Sequence, residues 1–271
     1  MGLRINTNIA AINASRTLRR STSALNKSLE RLSSGLRINR AADDAAGLAI
    51  AEGFRAQVAG SRVAQRNAQD GVSLVQTAEG ALSETTNILQ RVRELAVQAT
   101  NGTQSTANRN ALDTEVKQLL AQIDDIALDT QFNGLSVLSA NQTVTLQSGS
   151  EPGQNLAVTV QGAKTNDLGV SAVAVSSVGL ASTAISTVDR ALQSVNTLRS
   201  NLGAYQNRLE FTISTLAIQE ENAAASESAI RDADIAQETI QFTRNQILVS
   251  SGTSVLAQAN VVPQTALSLL G

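Results

Sequence analysis

Val75–Ala99 reads VQTAEGALSETTNILQRVRELAVQA, and its apolar or small residues fall at Val75, Ala78, Leu82, Thr85, Leu89, Val92, Ala96 and Ala99. Steps of three and four residues place all eight on one stripe, because an α-helix returns to the same face about every 3.6 residues. Kept up over roughly 38 Å at about 1.5 Å per residue, the stripe is the seam of helices packed lengthwise. It predicts a mainly α fold, a long antiparallel coiled-coil or helical-bundle rod.

Outward from this stretch the helical signal continues in both directions. Upstream, Leu18, Leu25, Leu29, Leu32 and Leu36 share a face, with Thr22 at the missing step. Ser33-Ser34-Gly35 is a stop, since glycine supplies the left-handed conformation that ends helices. Asp43 or Asp44 can then cap a new helix. Downstream, Asn101-Gly102 ends the long stretch, and Leu112, Val116, Leu119, Ile123 and Ile126 define a further helix.

The texture changes near residue 131. Phe132-Asn133-Gly134-Leu135 signals a tight turn, because Asn-Gly takes positive backbone angles readily. Thr143–Leu146 and Leu156–Val160 alternate with a period of two, with Pro152-Gly153 between them. A small β-hairpin insert near 131–178 follows from this pattern. Helix is expected to return near Ile185, with Ser186 and Asp189 spaced like a capping box or already inside the helix. Its seam runs Val188, Leu192, Val195, Leu198, Leu202, Tyr205, Leu209, Ile213 and Leu216. The alanine-rich, polar stretch Gln219–Ser228 reads as a weak seam or joint. Ile230, Ala233, Ile240 and Ile247 open the last helix, which Pro263 is expected to kink or end.

The last charged residue is Arg244, and Asn245–Gly271 is neutral. Leu248, Val255, Ala259, Val262, Ala266 and Leu269 form a seam there, with Leu256, Leu267 and Leu270 beside it. The segment is too rich in Asn, Gln, Ser and Thr for a membrane helix, which needs about 20 predominantly apolar residues. An apolar terminal seam must be covered by something. Two terminal helices of roughly 40 residues each bury little core as an isolated pair, so many copies satisfy them better than one. The candidate self-assembly residues are Leu18, Leu25, Leu29, Leu32, Ile240, Ile247, Leu248, Val255, Leu256, Val262, Leu267 and Leu270.

Composition narrows the chemistry. The chain of 271 residues carries a net charge of -2, which indicates neither nucleic acid nor an anionic membrane surface. It contains no histidine, cysteine or tryptophan, which removes the commonest general base, thiolate metal ligands and disulfides together. Aromatic residues make up only 2%, so the core is aliphatic and suits packed helices better than a ligand cavity. The carboxylate neighbours Asp43-Asp44, Asp124-Asp125 and Glu220-Glu221 diverge on a helix and make poor acid–base pairs. No phosphate-binding glycine loop and no Ser-x-x-Lys motif occurs. No catalytic residue, cofactor or metal is expected, and no enzyme. Met1–Arg20, with Arg4, Arg16, Arg19 and Arg20, does not read as a cleavable secretory signal. Gln90–Gln98 is denser in charge than its surroundings and reads as an exposed helix face or a recognition surface.

Several long motifs together resemble bacterial flagellin. MGLRINTNIAAINASRTL and LERLSSGLRINRAADDAAGLAIAE are similar to its N-terminal region, and GTSVLAQANVVPQTALSLLG to its C-terminal signature. LQRVRELAVQATNGT, DTQFNGLSVLS and NTLRSNLGAYQNRLE are similar to its inner rod segments. The resemblance implies a short flagellin with the inner domains only: residues 1–42 and 231–271 as domain zero, residues 43–230 as domain one, and no outer variable domains. It implies a filament subunit used in swimming, exported through the flagellar type III apparatus with a flagellin chaperone over its C-terminal segment, and so secreted to the extracellular flagellum. Hook-associated junction and cap proteins are implied neighbours. A host Toll-like receptor for flagellin is a further implied partner, reading Gln90, Arg91, Glu94, Leu95, Glu115, Val188 and Leu192. A hook–filament junction protein and a non-assembling coiled-coil binding module are the alternative readings.

Overall fold

The computed structural model describes residues 7–268, with side-chain environments up to Val261. Its elements are α1 (Ile9–Ser34), α2 (Ala45–Thr100), α3 (Thr106–Asp129), β1 (Gln131–Phe132), β2 (Leu135–Ser136), β3 (Gln142–Gln147), β4 (Asn155–Val160), α4 (Val178–Arg231) and α5 (Ile235–Ser268). The chain divides into two compact units, one of residues 57–221 and one of residues 1–56 with 222–271.

In the unit of residues 57–221 the seam of α2 is the centre of the core. Val75, Ala78, Leu82, Thr85, Leu89, Val92, Ala96 and Ala99 are all buried, as the spacing predicts. α4 lies antiparallel to it, and cross-helix ion pairs fix the register: Arg62–Glu220 at 2.6 Å, Glu79–Arg199 at 3.6 Å and Arg93–Asp189 at 2.6 Å. Val188, Val195, Leu202, Leu209 and Leu216 of α4 are buried. α3 folds back after the Asn101-Gly102 turn, where Arg109 donates from Nε to the Ala99 carbonyl. The buried row on α3 is Asp113, Val116, Leu120, Ile123 and Ala127. That row is turned slightly from the expected Leu112, Leu119 and Ile126, which are only partly covered.

The insert forms two short antiparallel pairs. Asn133 (φ 51°) and Gly134 (φ 78°) both take positive angles, as a two-residue turn joining twisted strands requires. β1 pairs with β2 around that turn, and β3 pairs with β4 with Val144 opposite Val158 and Leu146 opposite Leu156. Leu156, Val158 and Val160 point into the core, while Ala157 and Thr159 between them are exposed. Two carboxylates secure the loop that follows. Asp124 accepts from both the backbone and the hydroxyl of Thr165, and Asp113 accepts from the Val175 N–H at 2.7 Å.

Four expectations about helix ends are corrected. α4 starts at Val178, not near Ile185, because the Ser177 hydroxyl accepts from Leu180 N–H and caps it there. Ser186 and Asp189 therefore lie inside the helix. Gln219–Ser228 does not interrupt the helix: alanine and glutamate favour helix, and α4 runs through it to Arg231, with the division between the two units falling inside the stretch. Ile230 belongs to α4, and α5 begins at Ile235. Between them Asp232 pairs with Leu36, the Ala233 N–H donates to the Gly35 carbonyl, and Asp234 accepts from Ala236 and Gln237 as the new cap. Finally, Pro263 does not end α5, which continues to Ser268.

The pH dependence of the unit of residues 57–221 follows from Asp113. Burial alone would raise its carboxyl, but Lys117 Nζ at 2.7 Å and the Val175 N–H outweigh that and hold it below its ordinary value. A depressed folded-state pKa contributes stability above the unfolded pKa of about 3.9, and the contribution is lost as pH falls through the folded value. Asp113→Asn is expected to lower the urea midpoint at pH 7, with the gap from the wild type closing below about pH 4. An equal gap at pH 7 and pH 3 would remove the carboxylate from this role.

Candidate functional site

Within the unit of residues 1–56 and 222–271, α1 and α5 lie side by side and antiparallel. α1 is delimited by Asn8, whose side chain accepts from Ala11 N–H, and by Gly35, whose left-handed conformation returns its N–H to the Arg31 carbonyl. On α1 the less exposed residues include Ala11, Ala14, Leu18, Ser21, Leu25, Ser28 and Leu32. On α5 they are Glu238, Phe242, Asn245, Val249, Gly252, Leu256 and Ala259. Both rows step by three and four, so each is a lengthwise seam. They meet closely: a Cβ added at Gly252 would sit 3.2 Å from Leu18 Cδ1. Near the other end Arg31 reaches Glu238 at 3.5 Å.

The expected C-terminal seam is corrected here in register. Leu256 and Ala259 lie on the face toward α1, whereas Leu248 and Val255 do not. Ile240 (67% exposed), Ile247 (60%), Leu248 (45%) and Val255 (58%) form a separate outward row. On α1, Leu18, Leu25 and Leu32 are half-buried, but Leu29 is 54% exposed, in company with Ile9 and Ile12. Sequence reasoning merged the two faces because both carry aliphatics at helical spacing. It also missed Ser28, which is buried, and Gly252, whose missing side chain admits Leu18. Backbone helix extends past Val262 and Leu267, but their side chains, like Leu270 as a whole, lie outside the described residues.

The turn between α1 and α2 is tied by polar contacts. Glu30 accepts from Arg40 Nε at 2.8 Å and from the Asn39 amide, while Asp43 accepts from the backbone N–H groups of Asn39 and Arg40. Lys27 Nζ lies 2.8 Å from Asp43. Arg231 binds Glu52 at 2.9 Å. A groove of about 790 Å³ runs beside these residues, bordered by Lys27, Arg31, Arg37, Asp232, Asp234 and Glu238. Its border carries charges of both signs.

The other set of candidate residues lies in the unit of residues 57–221. Gln90, Arg91 and Glu94 are exposed, and Glu115 and Leu192 are half-buried. Arg91 is held between Glu115 at 3.0 Å and Glu94 at 3.2 Å. Leu95 and Val188 are corrections, being 1% and 0% exposed. α2 is flanked by both α3 and α4, so its covered face is wider than one stripe, and neither side chain is presented to a partner.

No constellation of catalytic groups gathers around the carboxylate neighbours. Asp44 caps α2 by accepting from Gly47 N–H, Asp124 binds Thr165, and Glu220 binds Arg62 and Gln65. Among the described residues no group of three His, Cys, Asp or Glu could hold a metal ion, and no helix is long and apolar enough to cross a membrane.

Comparison with known proteins matches residues 5–143 to the bacterial flagellin N-terminal helical region and residues 185–270 to the bacterial flagellin C-terminal helical region. The chain is 44% identical to the flagellar filament 33 kDa core protein of Treponema phagedenis, over 98% of this chain and 99% of that protein. It is 47% identical to a flagellin of Halalkalibacterium halodurans, again over 98% and 99%. A solved structure assigned as a flagellar hook-associated protein from Vibrio parahaemolyticus shares the fold, with a TM-score of 0.59 at 10% identity over 70% of this chain and 100% of that one.

The turn network generates a direct titration test. The Lys27 ammonium, with the two backbone N–H groups, holds the Asp43 carboxyl at about 2, against an ordinary 3.8. Carbon-13 NMR of Lys27→Ala is expected to show that pKa moving up toward the ordinary value, with the backbone donors keeping it short of full recovery. An unmoved titration would assign the depression to the backbone alone.

Proposed function

The chain belongs to the bacterial flagellin family, and from that premise we propose that the outward rows on α1 and α5 are the surfaces that neighbouring copies cover. It is a structural subunit of the flagellar filament, the helical propeller of swimming motility. The observation that carries the assembly reading is the outward row Ile240, Ile247, Leu248 and Val255 on a helix without charge beyond Arg244. A row of exposed large aliphatic residues, as opposed to single scattered ones, marks an interaction site.

In this reading residues 1–42 and 231–271 form the innermost filament layer, and residues 43–230 the layer around it. The subunit works by polymerising, not by turnover. It leaves the cell through the flagellar type III apparatus with a dedicated chaperone over its C-terminal segment, and hook-associated junction and cap proteins bound the filament's two ends. The exposed patch of Gln90, Arg91 and Glu94, with Glu115 and Leu192 at its edge, is the surface offered to a host Toll-like receptor for flagellin. Leu95 and Val188 support that patch from beneath.

Burying one large aliphatic side chain is worth about 1.5–3 kcal/mol. Ile247→Ser is therefore expected to raise the critical concentration for seeded filament growth by at least about tenfold, with the far-UV circular dichroism of the soluble chain unchanged. Growth at the wild-type concentration would place Ile247 outside the interface. Deleting Val255–Gly271 is expected to leave a folded protein, its residues 57–221 intact, that forms no filaments in negative stain. Normal filaments from that truncation would sink the assembly role of α5, and a wild-type chain that never elongates would favour the junction or binding-module reading.

A further inference from the structure

Asn8 uses each of its hydrogen-bonding groups beyond the backbone N–H. Its backbone carbonyl accepts from Ile12 N–H at 3.1 Å, its Oδ1 accepts from Ala11 N–H at 3.0 Å, and its Nδ2 donates to the carbonyl of Ala259 at 2.8 Å. The first two are the ordinary work of a helix N-cap. The third crosses to α5, and its acceptor is unusual. Inside a helix the carbonyl of residue i receives the N–H of residue i+4. For Ala259 that residue is Pro263, which has no N–H. Pro263 thus frees the carbonyl that Asn8 takes.

We propose that Asn8, Ala259 and Pro263 form a register clamp between the two terminal helices, in which the proline creates an acceptor and the asparagine fills it while capping α1. The inference rests on the filament reading for its consequence and on these three residues for its geometry. The seams alone fix their alignment weakly. Both step by three and four, with small residues such as Ala14, Ser21 and Ser28 recurring every seven on α1 and Gly252 and Ala259 seven apart on α5, so a slip by seven residues keeps much of the apolar pattern and loses the specific contacts of Leu18 with Gly252 and Arg31 with Glu238. A polar residue in such a seam fixes register, because only one alignment satisfies it. Arg31–Glu238 marks one end of the pair, and Asn8–Ala259 marks the other, about 34 Å away along α1.

The chemistry selects asparagine. Aspartate also caps helices but has no proton to donate, and serine and threonine must make both bonds from one short hydroxyl, whereas asparagine accepts on Oδ1 and donates from Nδ2. The amide orientation is set by the same contacts. A flipped side chain would face Nδ2 toward the Ala11 N–H and Oδ1 toward the Ala259 carbonyl, losing both bonds. Pro263 accordingly has a role other than a stop, consistent with α5 running on to Ser268.

The clamp is tested with Asn8→Asp, which keeps the capping oxygen and removes the donor, in wild-type and Pro263→Ala backgrounds. Hydrogen–deuterium exchange over residues 250–262 is measured on the full chain, both soluble and grown from seeds. One intramolecular hydrogen bond corresponds to about a two- to tenfold change in an opening equilibrium. Asn8→Asp is expected to speed exchange there by that factor and to raise the critical concentration in step. In the Pro263→Ala background the carbonyl has its own helical donor, so the added effect of Asn8→Asp should largely vanish. Unchanged exchange in Asn8→Asp, or the same increment in both backgrounds, overturns the clamp. Failure of the wild type to elongate would instead sink the filament reading, with exchange in the soluble chain still deciding the clamp.

Discussion

Along the face where α1 and α5 meet, small side chains alternate with large ones. Ala11, Ala14, Ser21 and Ser28 share the inner face of α1 with Leu18, Leu25 and Leu32, and Gly252 and Ala259 share that of α5 with Phe242, Val249 and Leu256, while Ile240, Ile247, Leu248, Val255, Leu29 and Ile12 turn outward. Aliphatic side chains therefore lie on both faces of the pair, not only between the helices. At about 25 cal/mol per Å² of apolar surface removed from water, the half-buried inner leucines hold the pair together, and the outward row leaves a comparable gain unused. That gain is available only when something covers the outside. A subunit built this way is incomplete alone, and a repeating assembly completes it with its own copies.

The unit of residues 57–221 follows the opposite rule. Leu82, Leu89, Ile123, Leu202 and Leu209 are fully buried within it, strands β3 and β4 add Val158 and Leu156, and ion pairs such as Arg93–Asp189 lie at its surface. Aliphatic residues interdigitate well along parallel seams, and the near absence of aromatic residues leaves no bulky interior to accommodate. The same chain therefore carries one unit whose large aliphatic side chains are enclosed and one that leaves a row of them exposed.

Legibility in the sequence tracked how many constraints bore on each residue. The α2 seam was readable to the residue, because a long helix covered on two sides leaves little choice at Val75, Leu82 or Leu89. The Asn133-Gly134 turn was equally plain, since both residues must take positive φ. Helix ends were less so. Ser177 is the cap of α4, and the loop before it is anchored through Val175 to Asp113, a contact between residues far apart in sequence that spacing does not reveal. The break at Asp232–Asp234 likewise depends on pairing with Gly35 and Leu36. On the terminal helices, spacing marked the apolar residues but not which of two faces each belonged to. Leu95 and Val188 show the converse limit: similarity to a recognition surface marks a neighbourhood, and burial decides which side chains within it can be touched.

The composition of α5 then has a physical account. Its outward face is neutral beyond Arg244 yet full of Ser and Thr, which fits neither a solvated helix nor a membrane span. An unpaired charge on a covered face would cost several kcal/mol in every subunit, and beyond Arg244, which lies beside Ile240, Ile247 and Leu248, α5 carries none. Hydroxyls carry no such cost if they are already bonded. Thr239 donates to Ile235, Thr243 to Thr239, and Thr253 and Ser254 to Ser250, each to a carbonyl of its own helix three or four residues back. Once bonded in this way, they can be covered by a neighbour without leaving an unsatisfied polar group. The helix thereby remains polar enough to stay in water before assembly and dry enough to be enclosed after it. Ile240, Ile247 and Val255 supply the attraction, and the self-bonded hydroxyls of Thr239, Thr243 and Ser254 beside them lower the penalty.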